Sequence, residues 1–322
     1  MALIRLNVKD EFDGMRLDRF VLNNTECSKG AVQKLIRKGD VKVNKKRSEA
    51  SVRVKSGDVV DVYNATPKSA AKFVEGLPLP KVIYEDDFIL AVNKPAGLNT
   101  QPGGSSADCL SERVKLYLKD VVEEYGGAFV PAPANRLDNG TSGIVLCGKT
   151  PKAAAELSAL IRENKVKKCY FVLVCGKLNE RVRLDGFARK DAKRNMMLPC
   201  DANEQGAVKM SAVYEPLETF GEYTLVKAKL ITGKTHQIRF QLSAAGHEVV
   251  GDNKYGNRRI NEEFKNKYGF CRLFLHCCEM SFKMWDDSGS MKITCALPED
   301  MQNILKDIGF SLNMPEVGLE NI

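Results

Sequence analysis

Ten cysteines occur in this 322-residue chain, yet none forms a Cys-x-x-Cys pair, and only three histidines are present, His236, His247 and His276. Even where Cys277 and Cys278 follow His276, metal-ligand spacing is missing, so zinc chemistry and thiol catalysis are not expected, and no cofactor is called for. Cysteines 109, 147, 169, 175, 271 and 295 sit among apolar neighbours and read as small core residues. The long apolar run near Phe171 to Cys175 is far too short to cross a bilayer. A secretory start is also absent, because Arg5, Lys9, Asp10 and Glu11 interrupt the beginning, so a soluble, reduced, cytoplasmic protein with no membrane partner is expected. There is no fixed-period repeat and no low-complexity tract. With 43% hydrophobic residues the chain can fill two ordinary cores.

Charge is unevenly spread. The net charge is +8, and residues 1–63, with 14 basic and 9 acidic groups, supply +5 of it. Lys29, Lys34, Arg37, Lys38, Lys42, Lys45, Lys46 and Arg47 crowd residues 29–47 against Asp40 alone. Phosphate is the natural partner of such a run, although a solubilising face has the same composition. Pattern favours the first. Residues 16–22 read as a short amphipathic helix, and Ser28 is placed to cap a second helix from about Ala31 to Lys38, ended by Gly39. Val32, Leu35 and Ile36 form its apolar stripe, which turns Lys29, Lys34, Arg37 and Lys38 outward together. Residues 41–44 alternate as a strand, 56–58 form a turn, and Val59 to Val62 read as a closing strand.

Residues 13–62 resemble the S4-like RNA-binding domain, through Met15-Arg16-Leu17-Asp18-Arg19-Phe20, residues 34–44 and Lys55-Ser56-Gly57-Asp58-Val59-Val60. The resemblance implies that structured RNA lies on the basic helix and the following loop, and that Asp18 is a structural acid. Residues 64–80 contain three prolines and no stable period, and read as a linker after a domain of residues 1–63. From residue 81 to 300, short β-rich runs (89–92, 144–147, 170–174, 223–230) alternate with helical stretches such as 152–163, the pattern of an α+β domain. Residues 301–322 read as a short helix and a loosely ordered tail.

The tripeptide Arg-Leu-Asp occurs at 16–18, 136–138 and 183–185, but only the middle copy leads into Thr-Ser-Gly. An acid between a cation and a hydroxyl-rich turn suggests a catalytic carboxylate at Asp138, but by itself the segment reads better as an aspartate capping a helix or turn. Its company decides. Val92-Asn93-Lys94-Pro95-Ala96-Gly97-Leu98, Asn135 to Gly143, Lys168-Cys169-Tyr170, and Thr232 to Leu242 continuing to Gly256 resemble, in order, the segments of the RluA-type pseudouridine synthases.

That resemblance implies a mixed, mainly antiparallel β-sheet catalytic domain flanked by helices, and the isomerisation of uridine in RNA to pseudouridine. The base is detached at N1, rotated and rejoined through C5, with neither cofactor nor metal. Uracil leaves as a stabilised anion, so one carboxylate near C1′ suffices where a glycosidase needs two. By the same resemblance Asp138 is that carboxylate, Arg239 its charge partner, Tyr170 the ring on which uracil stacks, and Leu242 an apolar wall of the pocket. Arg136, two residues before Asp138, would share its side of an extended segment and support phosphate or fill the place of the flipped-out base. Thr141 and Ser142 are expected to cap the turn, Gly143 to permit close backbone approach, and Lys94 to Gly97 to form a rigid loop. Asn135 stands where histidine is commoner in the family. The three histidines are expected to be hydrogen-bonded framework groups. Large-subunit (23S-type) ribosomal RNA is the expected partner of a monomer; the alternatives are transfer RNA as substrate and a non-catalytic RNA-binding or ribosome-assembly protein.

Overall fold

Residues 3–103 and 106–311 are described in the computed structural model of the chain. Strand β1 (Leu3–Asn7) leads through a 3-10 turn (Asp10–Phe12) to helices α1 (Leu17–Asn24) and α2 (Lys29–Lys38), then to strands β2 (Val41–Val43), β3 (Lys46–Arg47) and β4 (Val59–Tyr63). The start and stop signals of α2 act as expected: Ser28 Oγ accepts the Ala31 N–H, and Gly39 closes the helix at φ +83°. Asn44 and Lys45 have φ of 49° and 66°, the paired positive values of a two-residue hairpin turn that joins β2 to β3. Strand β1 lies outside the sequence expectation. It runs antiparallel to β4 from Leu3↔Tyr63 to Asn7↔Val59 and completes a sheet of order β1-β4-β2-β3. Phe20, Val32, Ile36, Val60 and Val62 pack between this sheet and the two helices.

The core of this module continues past residue 63. Phe12 meets Tyr125 edge-to-face at 6.0 Å, and Tyr125 meets Phe129 at 5.3 Å, so aromatic residues of the following domain close the bottom of the small one. Residues 64–80 carry no helix or strand. They are tied back at Glu26, whose Oε1 accepts the backbone N–H and the hydroxyl of Ser69, both at 2.6 Å.

The second part contains β5 (Lys81–Glu85), β6 (Ile89–Lys94), α3 (Leu110–Tyr117), α4 (Lys119–Glu124), β7 (Ser142–Gly148), α5 (Pro151–Arg162), β8 (Lys167–Cys175), β9 (Val182–Asp191), β10 (Met196–Pro199), β11 (Val208–Phe220), β12 (Tyr223–Leu230), α6 (Gln237–Ala244), α7 (Arg258–Tyr268), β13 (Leu275–Lys283), β14 (Ser290–Thr294) and α8 (Glu299–Ile308). Its ten strands form one sheet of order β10-β9-β11-β12-β8-β13-β7-β6-β5, with β14 beside the far half of β13. Among the described pairs only β13 and β7 run parallel, which makes the sheet mixed and mainly antiparallel.

Strand β8 shows why this sheet is covered on both faces. Tyr170, Val172 and Val174 join the larger core on one face, while Cys169, Phe171, Leu173 and Cys175 join a second core on the other. Met301, Ile304 and Leu305 of α8 belong to that second core. The short helix expected from residue 301 is present as α8 and starts slightly earlier, at Glu299; the 3-4 spacing of these residues gives it an apolar stripe that the sheet buries. The remainder of the expected tail, residues 312–322, lies outside the described residues. Cys271 is also corrected, since it is exposed in the connection between α7 and β13 while cysteines 109, 147, 169, 175 and 295 are buried.

Candidate active site

The segment entering β7 is fastened by side chains acting as substitute strand partners. Asn135 is buried; its Oδ1 accepts the Leu146 N–H at 2.9 Å and its Nδ2 donates to the Ile144 carbonyl at 3.3 Å. Both ends of the amide are used to hold backbone, which leaves this position no part in proton transfer. Burial then alternates: Asn135 and Leu137 point inward, Arg136 is exposed and Asp138 half-buried, so Arg136 and Asp138 face one cleft as their spacing predicts. The Thr141 N–H donates to the Asp138 carbonyl at 3.0 Å and closes a turn. Ser142 looks the other way. Because the His276 Nε2–H donates to the Cys295 carbonyl at 3.3 Å, Nδ1 is the acceptor and the Ser142 hydroxyl donates to it at 2.9 Å. Gly143 (φ +117°) pairs with Cys277 of β13, and a Cβ there would lie 2.3 Å from the Cys277 carbonyl oxygen. Glycine is what lets β7 and β13 meet beneath the site.

The loop after β6 is stapled to the same turn. Lys94 is fully buried, and its Nζ donates to the carbonyls of Pro95 (2.9 Å), Leu98 (2.7 Å) and Asn139 (3.2 Å). Three ammonium N–H groups thus meet three carbonyls. Burial pulls this lysine down to about 7, against the raising influence of the nearby Asp138. Asn139 answers across the junction: its Nδ2 donates to the Gly97 carbonyl at 2.9 Å, and its own carbonyl accepts the Gly97 N–H at 2.8 Å.

Arg239, in the first turn and a half of α6, reaches two acids. Nε and Nη2 form a fork on Asp252 at 2.6 and 2.8 Å, and Nη1 donates to Asp138 Oδ2 at 2.9 Å. The two carboxylates differ in exposure, 0% for the Asp252 side chain and 30% for that of Asp138. Burial pushes the Asp252 carboxyl up, but the Arg239 fork and the backbone N–H groups of Lys254 and Tyr255 outweigh it, and the group lies below its ordinary value. Asp252 is therefore a fixed anion that aims the guanidinium, and Asp138 is the carboxylate open to the cleft. Among the described residues lining the cleft, Asp138 is the single acid. Asp252 and Tyr255, whose ring lies 5.2 Å from the Arg239 guanidinium, fall within a motif segment but carry no role in the sequence reading.

Tyr170 lines the same cleft and is 6% exposed. Burial first, then Cys277 and the charge of Asp138, hold its phenol well above the ordinary tyrosine value. It stays protonated near neutral pH, able to offer a ring face and to donate a proton but not to act as a base. Leu242 is not on the cleft. It is buried in the main core one turn beyond Ile238, and Ile238, Leu230 and Leu275 supply the apolar wall instead. Residues 238 and 242 share one helix face, and only the nearer one borders the site.

In the small module Lys29, Lys34, Arg37, Lys38, Lys45 and Lys46 are exposed and have no acidic partner among the described residues. Two of the expected cations differ. Arg47 folds back, with its Nη2 donating to the Lys38 carbonyl at 3.3 Å at the end of α2, and Lys42 is half-buried with its Nζ 5.3 Å from the Tyr63 ring centroid.

Comparison with known proteins gives two family matches, RNA pseudouridylate synthase over residues 88–244 and S4 domain over residues 15–60. Over its whole length the chain is similar to Ribosomal large subunit pseudouridine synthase C of Vibrio parahaemolyticus, 30% identical over 309 residues that cover 93% of this chain and 95% of that protein. It is also similar to Ribosomal large subunit pseudouridine synthase D of Zymomonas mobilis, 28% identical with 95% and 98% covered. Among solved structures, Human RNA Pseudouridylate Synthase Domain Containing 4 shares the fold at a TM-score of 0.59, with 19% identity, 71% of this chain and 92% of that one.

Proposed function

Because the chain belongs to the RluA-type pseudouridine synthase family and carries an S4 domain, we propose that it converts uridines of large-subunit ribosomal RNA to pseudouridine, with Asp138 as the catalytic carboxylate. One observation carries the residue assignment: Arg239, locked by the buried Asp252, donates from Nη1 to a part-exposed Asp138 in the cleft that Tyr170 also lines. A uridine must leave its stack to enter, at a cost of a few kcal/mol, and Arg136 at the rim is placed to meet phosphate or the vacated position. Uracil then lies on the Tyr170 ring. Asp138 acts at the ribose, either attacking C1′ as the C1′–N1 bond breaks or taking the C2′ proton, and the electron pair of the broken bond leaves on the uracil anion. After rotation C5 bonds to C1′, either displacing the Asp138 carboxylate as the ester bond breaks or, on the second route, as Asp138 returns the proton to C2′; C5 then loses its proton while N1 gains one, so the reaction balances without an external reagent. Arg239 keeps the carboxylate oriented, and Leu230, Ile238 and Leu275 shield the detached base from water.

Support for ribosomal RNA comes from the relatives just described, whose names specify the large subunit, and from the unpaired cations of α2 and the β2–β3 turn. The test is tritium release from RNA labelled at uridine C5. The purified chain is expected to release tritium from large-subunit ribosomal RNA and not from transfer RNA, and Asp138→Asn to release none while melting normally. Undiminished release by Asp138→Asn would sink the residue assignment, release from transfer RNA alone the substrate, and inactivity of the wild-type chain on every RNA would leave the rival reading of a non-catalytic RNA-binding protein.

A further inference from the structure

His236 holds an unusual position beside the reacting carboxylate. It precedes α6 with φ 52° and ψ 21°, a left-handed conformation that is unfavourable for a histidine, and its side chain is 9% exposed. The ring is held by a hydrogen bond at Nδ1, which turns Nε2 toward Asp138. Nδ1 lies 2.9 Å from Tyr255 Oη, and Nε2 lies 3.8 Å from Asp138 Oδ2.

The proton on this ring can be located from its neighbours. Tyr255 Oη accepts the backbone N–H of Met197 at 2.6 Å, so one side of the phenol oxygen is already occupied by a donor. Among the described residues the hydroxyl proton has one acceptor within reach, His236 Nδ1. With Nδ1 accepting, the neutral ring carries its proton on Nε2, facing Asp138. Burial, with Arg239 and Lys254 nearby, pushes the imidazole below its ordinary value although Asp138 opposes them, which is consistent with a neutral ring.

We propose that His236 is a positioning residue for the catalytic carboxylate: its Nε2–H, set in that tautomer by Tyr255, faces Oδ2 of Asp138 at 3.8 Å and adds its dipole to the hydrogen bond from Arg239, so that Oδ1 is the oxygen presented to the ribose. Arg239 donates to Oδ2 at 2.9 Å and His236 Nε2 faces the same oxygen at 3.8 Å, whereas among the described residues none donates to Oδ1. Tyr255 serves both of them, since its hydroxyl orients His236 while its ring lies against the Arg239 guanidinium. The left-handed backbone at His236 is then the cost of bringing the ring over the carboxylate from the start of α6. This inference rests on the assignment of Asp138 as the reacting group.

Three variants and one spectrum test it. Asparagine tolerates a left-handed backbone but is too short to reach Asp138, so His236→Asn is expected to keep its melting temperature and the KM for RNA while kcat falls by about tenfold or more. His236→Gln, whose amide can extend toward the Nε2 position, should recover part of that loss. Tyr255→Phe, which keeps the ring under Arg239, should lower kcat and change the 15N signature of His236 from a single Nε2–H tautomer to a mixture. A kcat for His236→Asn within twofold of wild type, or a wild-type spectrum showing the Nδ1–H tautomer, overturns the proposal. Should the wild-type chain form no pseudouridine, the functional reading fails, and the tautomer in the spectrum still decides whether Tyr255 sets the ring.

Discussion

Asp252 grips Arg239 through two hydrogen bonds of 2.6 and 2.8 Å and leaves the third corner of the guanidinium for Asp138. Removing the arginine strands a carboxylate with no solvent exposure, and a buried ion pair broken from one side costs about 3–5 kcal/mol. Arg239→Met should therefore lose both activity and stability. Asp252→Asn, which keeps one acceptor and the two backbone contacts, should be milder, and the double variant less unstable than the sum. A double-mutant cycle in urea checks this; additivity within about 0.5 kcal/mol would show that the fork contributes no coupling.

Lys94 joins the loop after β6 to the turn that carries Asp138. Lys94→Met keeps the volume but leaves the Pro95 and Leu98 carbonyls without this donor, and the Asn139 carbonyl with the Gly97 N–H alone, an expected loss of about 1–3 kcal/mol. Activity should fall further than stability alone explains, because Asn139 is the residue after Asp138. Denaturation midpoints and tritium release at a temperature where the variant remains folded measure the two effects separately. Equal activity would mean that the turn holds its shape without the staple.

His276 is buried neutral between Ser142 and the Cys295 carbonyl, and burial lowers it to about 4. The unfolded chain takes up this proton near pH 6.5 and the folded chain only near 4. Between those values the unfolded state binds more protons, so stability falls as pH drops through that window, by roughly 3 kcal/mol from this residue. Denaturant midpoints measured from pH 7 to 4 should show that slope, and His276→Gln should flatten it.

The basic face is best tested by neutralisation rather than deletion, because Phe12 packs on Tyr125 and loss of residues 1–63 would uncover aromatic core. Replacing Lys34, Arg37 and Lys38 with glutamine should weaken RNA binding. It should also reduce the slope of log K against log salt by roughly 0.7–0.9 for each phosphate that is no longer neutralised. Filter binding at several salt concentrations gives the slope; an unchanged value would remove these side chains from the interface.

Much of the fold can be read locally. Ser28 and Gly39 mark α2 because capping and positive φ act within four residues of chain. Strand β8 stands out as an apolar run, and the 3-4 spacing of Lys152 to Glu163 points to α5. Strand β1 is not legible, because its alternation, Leu3-Ile4-Arg5-Leu6-Asn7, is weak until β4 supplies the partner. Helix α8 is legible as a short helix, but its place in a core is not, for a related reason: its apolar stripe has meaning only against the far face of the sheet.

The candidate site divides along the same line. Sequence by itself determined the residue types and the family, because four ordered segments survive as local motifs, and it determined the outward cations of α2 through helical period alone. Tertiary structure decided which group holds which. Arg239 and Asp138 are 101 residues apart, Asp252 folds back onto Arg239 from 13 residues further along, Ile238 rather than Leu242 borders the cleft, and Tyr255 orients His236 from 19 residues away. Hydrogen bonds and burial depend on distance in space, and a motif carries no distances until the sheet brings its segments to one edge of the cleft.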